Sequence, residues 1–216
     1  ENFKLGPEQC TTITYGFELS TPPVASEKKI AREQICKTHR IQETDKILLF
    51  NGTLSYKPNL DALNIILEKI NPVLLTYKKF GYKIIICGSK LPPEYKGLFD
   101  YKEKNIIYAG FVDDINLYFK GSDIFINPVT DGGGIKTKVV EALGYNLSVI
   151  SSMSGAIGIP AEITGNKLKT VEDDDWGAFT DQILSLNCEE NIQQNYFGQF
   201  YWGKIANKAA TILNQL

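Results

Sequence analysis

Histidine is almost missing from this chain: 216 residues hold one, His39, in a polar segment outside any motif. A His-activated nucleophile and a His-based zinc site are therefore not expected. No run of about 18 apolar residues is present, so no segment reads as a membrane span. The first residues show neither the basic nor the apolar block of a signal peptide. Cysteine is sparse and scattered. Cys10, Cys36, Cys87 and Cys188 form no C-x-x-C, and four reduced thiols of a cytosolic protein are expected. Positive charge is not in excess: 23 Lys and Arg face 25 Asp and Glu, a net charge of −2, which gives no basic field for nucleic acid. Two phosphate-binding glycine patterns are also missing. Ile135, where G-x-x-x-x-G-K-[ST] needs glycine, precedes Lys136-Thr137, and G-x-G-x-x-G follows none of the strand candidates. The chain starts at Glu1 and its single methionine is Met153, so a piece of a longer protein is expected.

What remains is ordinary for a globular domain, with 43% hydrophobic and 22% charged residues. Residues 1–45 read as a linker with a short strand, Thr11–Tyr15, and a charged peripheral helix capped by Ser26, with Ile30, Ala31 and Ile35 on one face. From Lys46 to about residue 190 the pattern alternates. Ile47–Phe50 is a continuous apolar run, as a parallel strand buried on both faces requires. Further strands are expected at Lys83–Cys87, Asn105–Ala109, Asp123–Asn127, Ser148–Ile150 and Leu168–Val171. Helices are expected at 59–79, with Pro58 in the first turn and an interruption at Pro72, and at 115–120, 135–143 and 174–186. A last helix over 190–214 falls largely within a C-terminal segment, 191–216. Strands alternating with helices predict an α/β fold with a Rossmann-like, doubly wound parallel sheet.

The chemistry concentrates in Asn127–Gly144, read as a strand end, a three-glycine loop and a helix. Such a loop offers bare backbone N–H groups and the positive end of a helix dipole to an anion. Gly132, Gly133 and Gly134 would let the backbone approach closely, and Lys136 and Lys138 add charge. Ile135, Val139 and Leu143 recur at helical spacing and form the buried face; Thr137, Lys138 and Glu141 share another. Helical side chains lean toward the N-terminus, so Glu141 points back at the loop. A carboxylate there can accept two hydrogen bonds from vicinal hydroxyls. The opposing reading is an exposed Lys138–Glu141 pair beside a tight turn. Asp173–Asp175 and Asp113-Asp114 read as helix caps rather than metal ligands. Phe197, Tyr201 and Trp202 read as packing.

Four blocks, Phe50–Asn59, Ile86–Gly88, Asn105–Val112 and Asp123–Gly144 followed by Val149-Ile150, occur in the order found in retaining family-4 (glycosyl transferases group 1) enzymes. From about Thr11 onward the chain resembles the C-terminal, donor-binding half of such a GT-B glycosyltransferase. The closing Phe200–Ile205 resembles the family's final helix, which crosses back to the N-terminal domain. The resemblance implies a nucleoside diphosphate-sugar as donor and no metal or other cofactor. It implies transfer of a hexose-type sugar to a glycan or lipid-linked acceptor held by a missing N-terminal domain, in polysaccharide biosynthesis. A cytoplasmic location follows, with peripheral membrane association open in the full-length protein. Glu141 matches the second glutamate of E-x7-E, the ribose ligand. Gly132, Gly133, Gly134, Ile135, Lys136 and Thr137 match the sugar-diphosphate cradle, and Gly110, Phe111 and Val112 the base loop. Gly52, Thr53 and Lys57 match the loop that neutralises the diphosphate.

Two departures stand out. Gly133 replaces the first glutamate, and Thr53 stands where arginine is expected, with Lys57 displaced by one position. Lys138 is the candidate for the missing charge, and Glu141 and Lys138 are the two residues expected to carry the reaction. A non-catalytic sugar-nucleotide-binding module and a GT-B-like epimerase are the other readings. The shortage of histidine weighs against the epimerase, and the missing glycine fingerprint against a dinucleotide oxidoreductase.

Overall fold

A computed structural model of the chain describes Gly6 and residues 10–187 and 190–214; Cys188 lies outside them. Six strands form one parallel sheet: β1 (Lys46–Asn51), β2 (Tyr82–Cys87), β3 (Ile106–Gly110), β4 (Ile124–Asn127), β5 (Ser148–Ser152) and β6 (Leu168–Val171). Their order is β3-β2-β1-β4-β5-β6. The direction of winding therefore reverses between β1 and β4, which opens a crevice at their C-terminal ends.

The apolar run in β1 shows why the sheet must be covered twice. Ile47 and Leu49 enter one core while Leu48 and Phe50 enter the other, and none of the four is exposed. The first core is closed by α1 (Ala25–His39), α4 (Ile115–Gly121), α5 (Thr137–Gly144) and α7 (Gln194–Phe200). The second is closed by α2 (Lys57–Ile65), α3 (Asn71–Leu74) and α6 (Trp176–Ser185).

The structure departs from the sequence reading in five places. Thr11–Tyr15 is not a strand; Phe17 instead makes an isolated bridge to Tyr201, donating to the Phe200 carbonyl at 2.8 Å and accepting from Trp202 N at 3.0 Å. To make that bridge Tyr201 adopts extended angles, and this splits the expected C-terminal helix into α7 and α8 (Trp202–Leu213). The predicted 59–79 helix ends at Leu74 and passes through a π-helical turn, Ile66–Ile70, before Pro72. Pro72 has no N–H to donate, and the Asn71 amide reaches back five residues to the Ile66 carbonyl. Two short 3-10 turns within Pro93–Lys104, separated by a kink at Lys96, Gly97 and Leu98, precede β3 where no element was expected.

The fifth departure is α1. It is built into the fold rather than peripheral, and Ile30 is 64% exposed. Arg32 bonds Asp123 Oδ2 at 2.7 Å and the Asp45 carbonyl at 2.6 Å. A Cβ on Gly121 would lie 2.8 Å from the Ala31 carbonyl carbon, so α1 and α4 pack backbone to backbone. Val24, not Ser26, precedes the helix, and the Glu27 carboxylate accepts from Val24 N at 3.0 Å. Cys36 and Cys87 are buried free thiols, and Cys10 is an exposed one. None of the described helices is long and apolar enough to cross a membrane.

Candidate functional site

The loops that follow β1, β2 and β3 are tied together by their own backbones. Gly52 N donates to Cys87 O at 3.0 Å, Leu54 N to Ser89 O at 2.9 Å, and Gly88 N to Gly110 O at 2.8 Å. A Cβ on Gly88 would fall 2.1 Å from the Gly52 carbonyl oxygen, so only glycine permits this approach. On the other side of the crevice, Ser152 Oγ donates to Val129 O at 2.5 Å and anchors the chain as it leaves β4.

Two adjoining clefts result, and Asn51 and Gly52 line both. The first, about 370 Å³, lies between the β1 loop and the glycine loop. Tyr56, Pro58 and Asn59 form one wall; Gly132, Gly133, Ile135, Lys136, Thr137, Lys138 and Glu141 form the other. The second, about 250 Å³, is lined by Thr53, Ser89, Phe111 and Val112, with Phe111 74% exposed. The structure thus gathers most of the residues predicted from sequence. Lys57, Gly110 and Gly134 line neither cleft. Lys57 points away to Asp61, 2.5 Å distant on the same helix.

The glycines have different reasons. Gly132 (φ +93°) and Gly134 (φ +70°) take left-handed angles that disfavour a side chain. Gly133 does not, and a Cβ there meets nothing within 4 Å. The sequence-level argument that a side chain would crowd the loop is therefore corrected at 133: no protein atom excludes one. Gly133→Glu is expected to leave thermal stability within about 0.5 kcal/mol, as surface substitutions do, whereas Gly134→Ala costs about 1 kcal/mol for its left-handed backbone. Parallel thermal melts of the two variants check this.

Lys138 and Glu141 do not pair. Lys138 Nζ lies 2.9 Å from Asn59 Oδ1, 3.3 Å from Asn51 O and 4.5 Å from the centre of the Phe50 ring. Burial, then the nearby Lys136, push its ammonium down to about 7. Its amine is held poorly solvated beside an open cleft, where it changes charge near neutrality. Lys136 curls over the loop, donating to Gly132 O at 2.5 Å and Gly134 O at 3.1 Å. Glu141 accepts from the Tyr15 hydroxyl at 2.5 Å, and burial, with this bond second, raises the Tyr15 phenol above its usual range. Tyr15 also meets Trp202 edge-on, with ring centroids 5.8 Å apart.

Sequence reasoning missed Tyr15, Asn51 and Asn59. Tyr15 is 126 positions from Glu141 and carries no local signal. Asn51 had one: an amide closing an apolar strand. Its Oδ1 is buried without a partner at the junction of the two clefts. Asp114 and Asp175 cap α4 and α6, accepting from Leu117 N at 3.3 Å and Ala178 N at 2.9 Å. Asp173 holds Ser154 through its backbone amide and hydroxyl. Among the described residues, no group of three or more His, Cys, Asp and Glu is placed to hold a metal ion.

Comparison with known proteins gives this arrangement a family. Residues 45–188 match the model of the Glycosyl transferases group 1 family. An uncharacterized glycosyltransferase of Methanocaldococcus jannaschii is 24% identical over 186 residues, 80% of this chain and 45% of that protein. A glycosyltransferase from Rickettsia africae superposes with a TM-score of 0.73 at 17% identity, covering 100% of this chain and 59% of that one. Anabaena HepE, solved with UDP-glucose, gives 0.66 at 17% identity, covering 97% and 58%. At such identities the structures establish the fold, the Rossmann-like parallel sheet of GT-B glycosyltransferases. The chain spans less than half the length of the curated relatives it matches. The strand order, the crevice at its reversal point and the matched segment, which holds the glycine loop and Glu141, lead to one assignment: the chain belongs to the Glycosyl transferases group 1 family.

Proposed function

We propose that this chain is the donor-binding half of a retaining, nucleoside diphosphate-sugar-dependent glycosyltransferase. The observation that supports it most is the convergence of the glycine loop, Lys138 and Glu141 on one cleft at the sheet's reversal point. Glu141 takes the ribose hydroxyls. The amides at the start of α5, with Lys138, take the diphosphate and stabilise it as it leaves, an electrostatic role that needs no reorganisation during the reaction. The smaller cleft beside Phe111 and Val112 takes the base. HepE, of the same fold, was solved with UDP-glucose, which makes a uridine diphosphate-hexose the first donor to try.

The acceptor, a glycan or lipid-linked saccharide in polysaccharide synthesis, sits on a second domain. The C-terminal segment reaches toward that domain, a reading supported in its described part, where α8 buries Ile205 and leaves Leu213 68% exposed. The chain on its own binds donor weakly and transfers nothing. The full-length protein works in the cytoplasm, at the inner face of the membrane where its acceptor is lipid-linked. A non-catalytic sugar-nucleotide-binding module is the second reading, favoured by the glycine at 133.

A thermal-shift panel of UDP, GDP, ADP, CMP and their sugars tests the proposal. A ligand present at about 100 times its dissociation constant adds about 2.7 kcal/mol. Stabilisation by one nucleoside diphosphate and its sugars is expected. A flat panel overturns the donor-site assignment.

A further inference from the structure

Three residues ahead of α1, Tyr15, Gly16 and Phe17, are wedged between α5 and the junction of α7 with α8. The Phe17 ring presses on the end of α5, where a Cβ on Gly144 would fall 2.2 Å from it. The Phe17 backbone donates to Phe200 O at 2.8 Å and accepts from Trp202 N at 3.0 Å. Gly16 lies on the same junction: a Cβ there would stand 2.9 Å from the Phe200 carbonyl oxygen and 2.9 Å from the Trp202 ring. Tyr15 then reaches two groups at once. Its hydroxyl donates to Glu141 Oε1 at 2.5 Å, and its ring meets Trp202 with the planes 69° apart.

The approach to Tyr15 is weakly held. Among the described residues, Cys10 to Thr14 form no hydrogen bond, so the chain arriving at Tyr15 is not fixed by its own backbone. What fixes the phenol is its surroundings, and the helix is broken to provide them: Tyr201 takes extended angles and α8 begins at Trp202, beside the Tyr15 ring. Trp202 is 39% exposed, so the break does not serve to bury the whole indole. Burial of the phenol, and after it the bond to Glu141, raise the Tyr15 pKa, which keeps the hydroxyl a donor around neutrality. Tyr15 takes one of about four lone-pair sites on the carboxylate, so the others stay open to a ligand. A flexible carboxylate oriented in advance loses less freedom when the ligand arrives.

We propose that Trp202 is a positioning residue for the donor site: its ring holds Tyr15 against Glu141 and so orients the carboxylate that receives the ribose. The inference rests on Glu141 as the ribose ligand. It adds to that reading a dependence on the first residue of α8, which lines neither donor cleft. Affinity for the sugar nucleotide is thereby tied to how the start of α8 packs on the segment ahead of α1.

Titration calorimetry with UDP and with dideoxy-UDP, which lacks both ribose hydroxyls, tests this; the same pair is used for another base if the nucleotide panel selects one. Trp202→Leu keeps apolar bulk at the junction but has no aromatic edge. It should weaken UDP binding about three- to fivefold, the cost of ordering one side chain afresh on binding. Its affinity for dideoxy-UDP should equal that of the wild type, because that ligand offers Glu141 no hydroxyl. Trp202→Phe restores an aromatic edge against Tyr15 and should restore UDP binding. In a Tyr15→Phe background Trp202→Leu should add nothing, since the link it supports is already cut. Equal losses for the two nucleotides, a further loss in the Tyr15→Phe background, or no loss at all would overturn the role of Trp202. Glu141→Ala keeps the two readings apart. Wild-type UDP affinity in that variant removes the ribose assignment and this inference with it. Weakened UDP binding there, with Trp202→Leu unchanged from the wild type, removes this inference alone.

Discussion

Glu141→Ala should weaken binding of the sugar nucleotide by about 30- to 1000-fold while the protein stays folded. A carboxylate that accepts two ribose hydroxyls contributes about 2–4 kcal/mol, given roughly 1.5–3 for each hydrogen bond to a charged group and some compensation by water. The cost to the fold is smaller. Alanine leaves the Tyr15 hydroxyl without the partner it holds at 2.5 Å, but Tyr15 is only half-buried and water can replace that partner. A loss of about 1 kcal/mol is expected.

Tyr15→Phe separates the two effects. It leaves the carboxylate in place and removes the group that fixes its orientation, so the dissociation constant should rise only a few-fold. Isothermal titration of the three proteins with the best nucleotide from the panel decides the matter. Wild-type affinity in Glu141→Ala would remove the ribose assignment. A Tyr15→Phe loss as large as that of Glu141→Ala would mean that the phenol touches the ligand directly.

How much of this was legible in the sequence depends on the range of the interaction. The strands were legible because a strand covered on both faces must be apolar throughout, and Ile47–Phe50 and Ile84–Cys87 are. The glycine loop was legible because its function needs a particular backbone, and residue type reports backbone preference directly. The break at Tyr201 was not. Nothing in Phe200-Tyr201-Trp202 disfavours a helix; the break comes from pairing with Phe17, more than 180 positions earlier. The missing strand at Thr11–Tyr15 has the same origin, since an alternating segment becomes a strand only where a sheet edge is available.

The motif helix shows both outcomes within one turn. Spacing placed Lys138 and Glu141 on one face, and both line the cleft. Spacing could not tell that they turn apart, Lys138 to Asn51 and Asn59 and Glu141 to Tyr15, because an exposed i,i+3 pair is worth only a few tenths of a kcal/mol. Tertiary partners readily override so small a preference. The same limit explains Lys57. Its charge was visible in the sequence, but the side chain follows Asp61 on its own helix and stays outside the cleft.

Lys138→Met should stabilise the empty protein and cripple diphosphate binding. In the empty site the ammonium is pushed down to about 7, against about 10.4 in an unfolded chain. Between these values the unfolded chain binds more protons than the folded one, so this group makes stability rise with pH through that window. Below about pH 7 the lysine is charged in both states and its desolvation cost is fully felt. The variant should therefore gain most below pH 7. The gain is a few kcal/mol at most, because Asn59 Oδ1 and Asn51 O lose their donor.

Binding has the opposite sign. A bound diphosphate favours the charged lysine and raises its pKa, so above about pH 7 binding takes up a proton. Wild-type affinity should fall as pH rises past 7, by up to about tenfold per unit until the pKa of the bound state is reached. The diphosphate of a sugar nucleotide does not titrate in this range, so the slope belongs to the protein. In Lys138→Met the affinity at pH 7 should be about 30- to 100-fold weaker, the value of one charged contact to phosphate, and independent of pH. Titration calorimetry at pH 8 in two buffers of different ionisation enthalpy reads the proton directly. An apparent binding enthalpy that shifts with buffer in the wild type and not in the variant assigns the proton to Lys138. A buffer-independent enthalpy in both proteins would show that this lysine keeps the same protonation state in the empty and the bound site, and would overturn its assignment as the group that takes up a proton on binding.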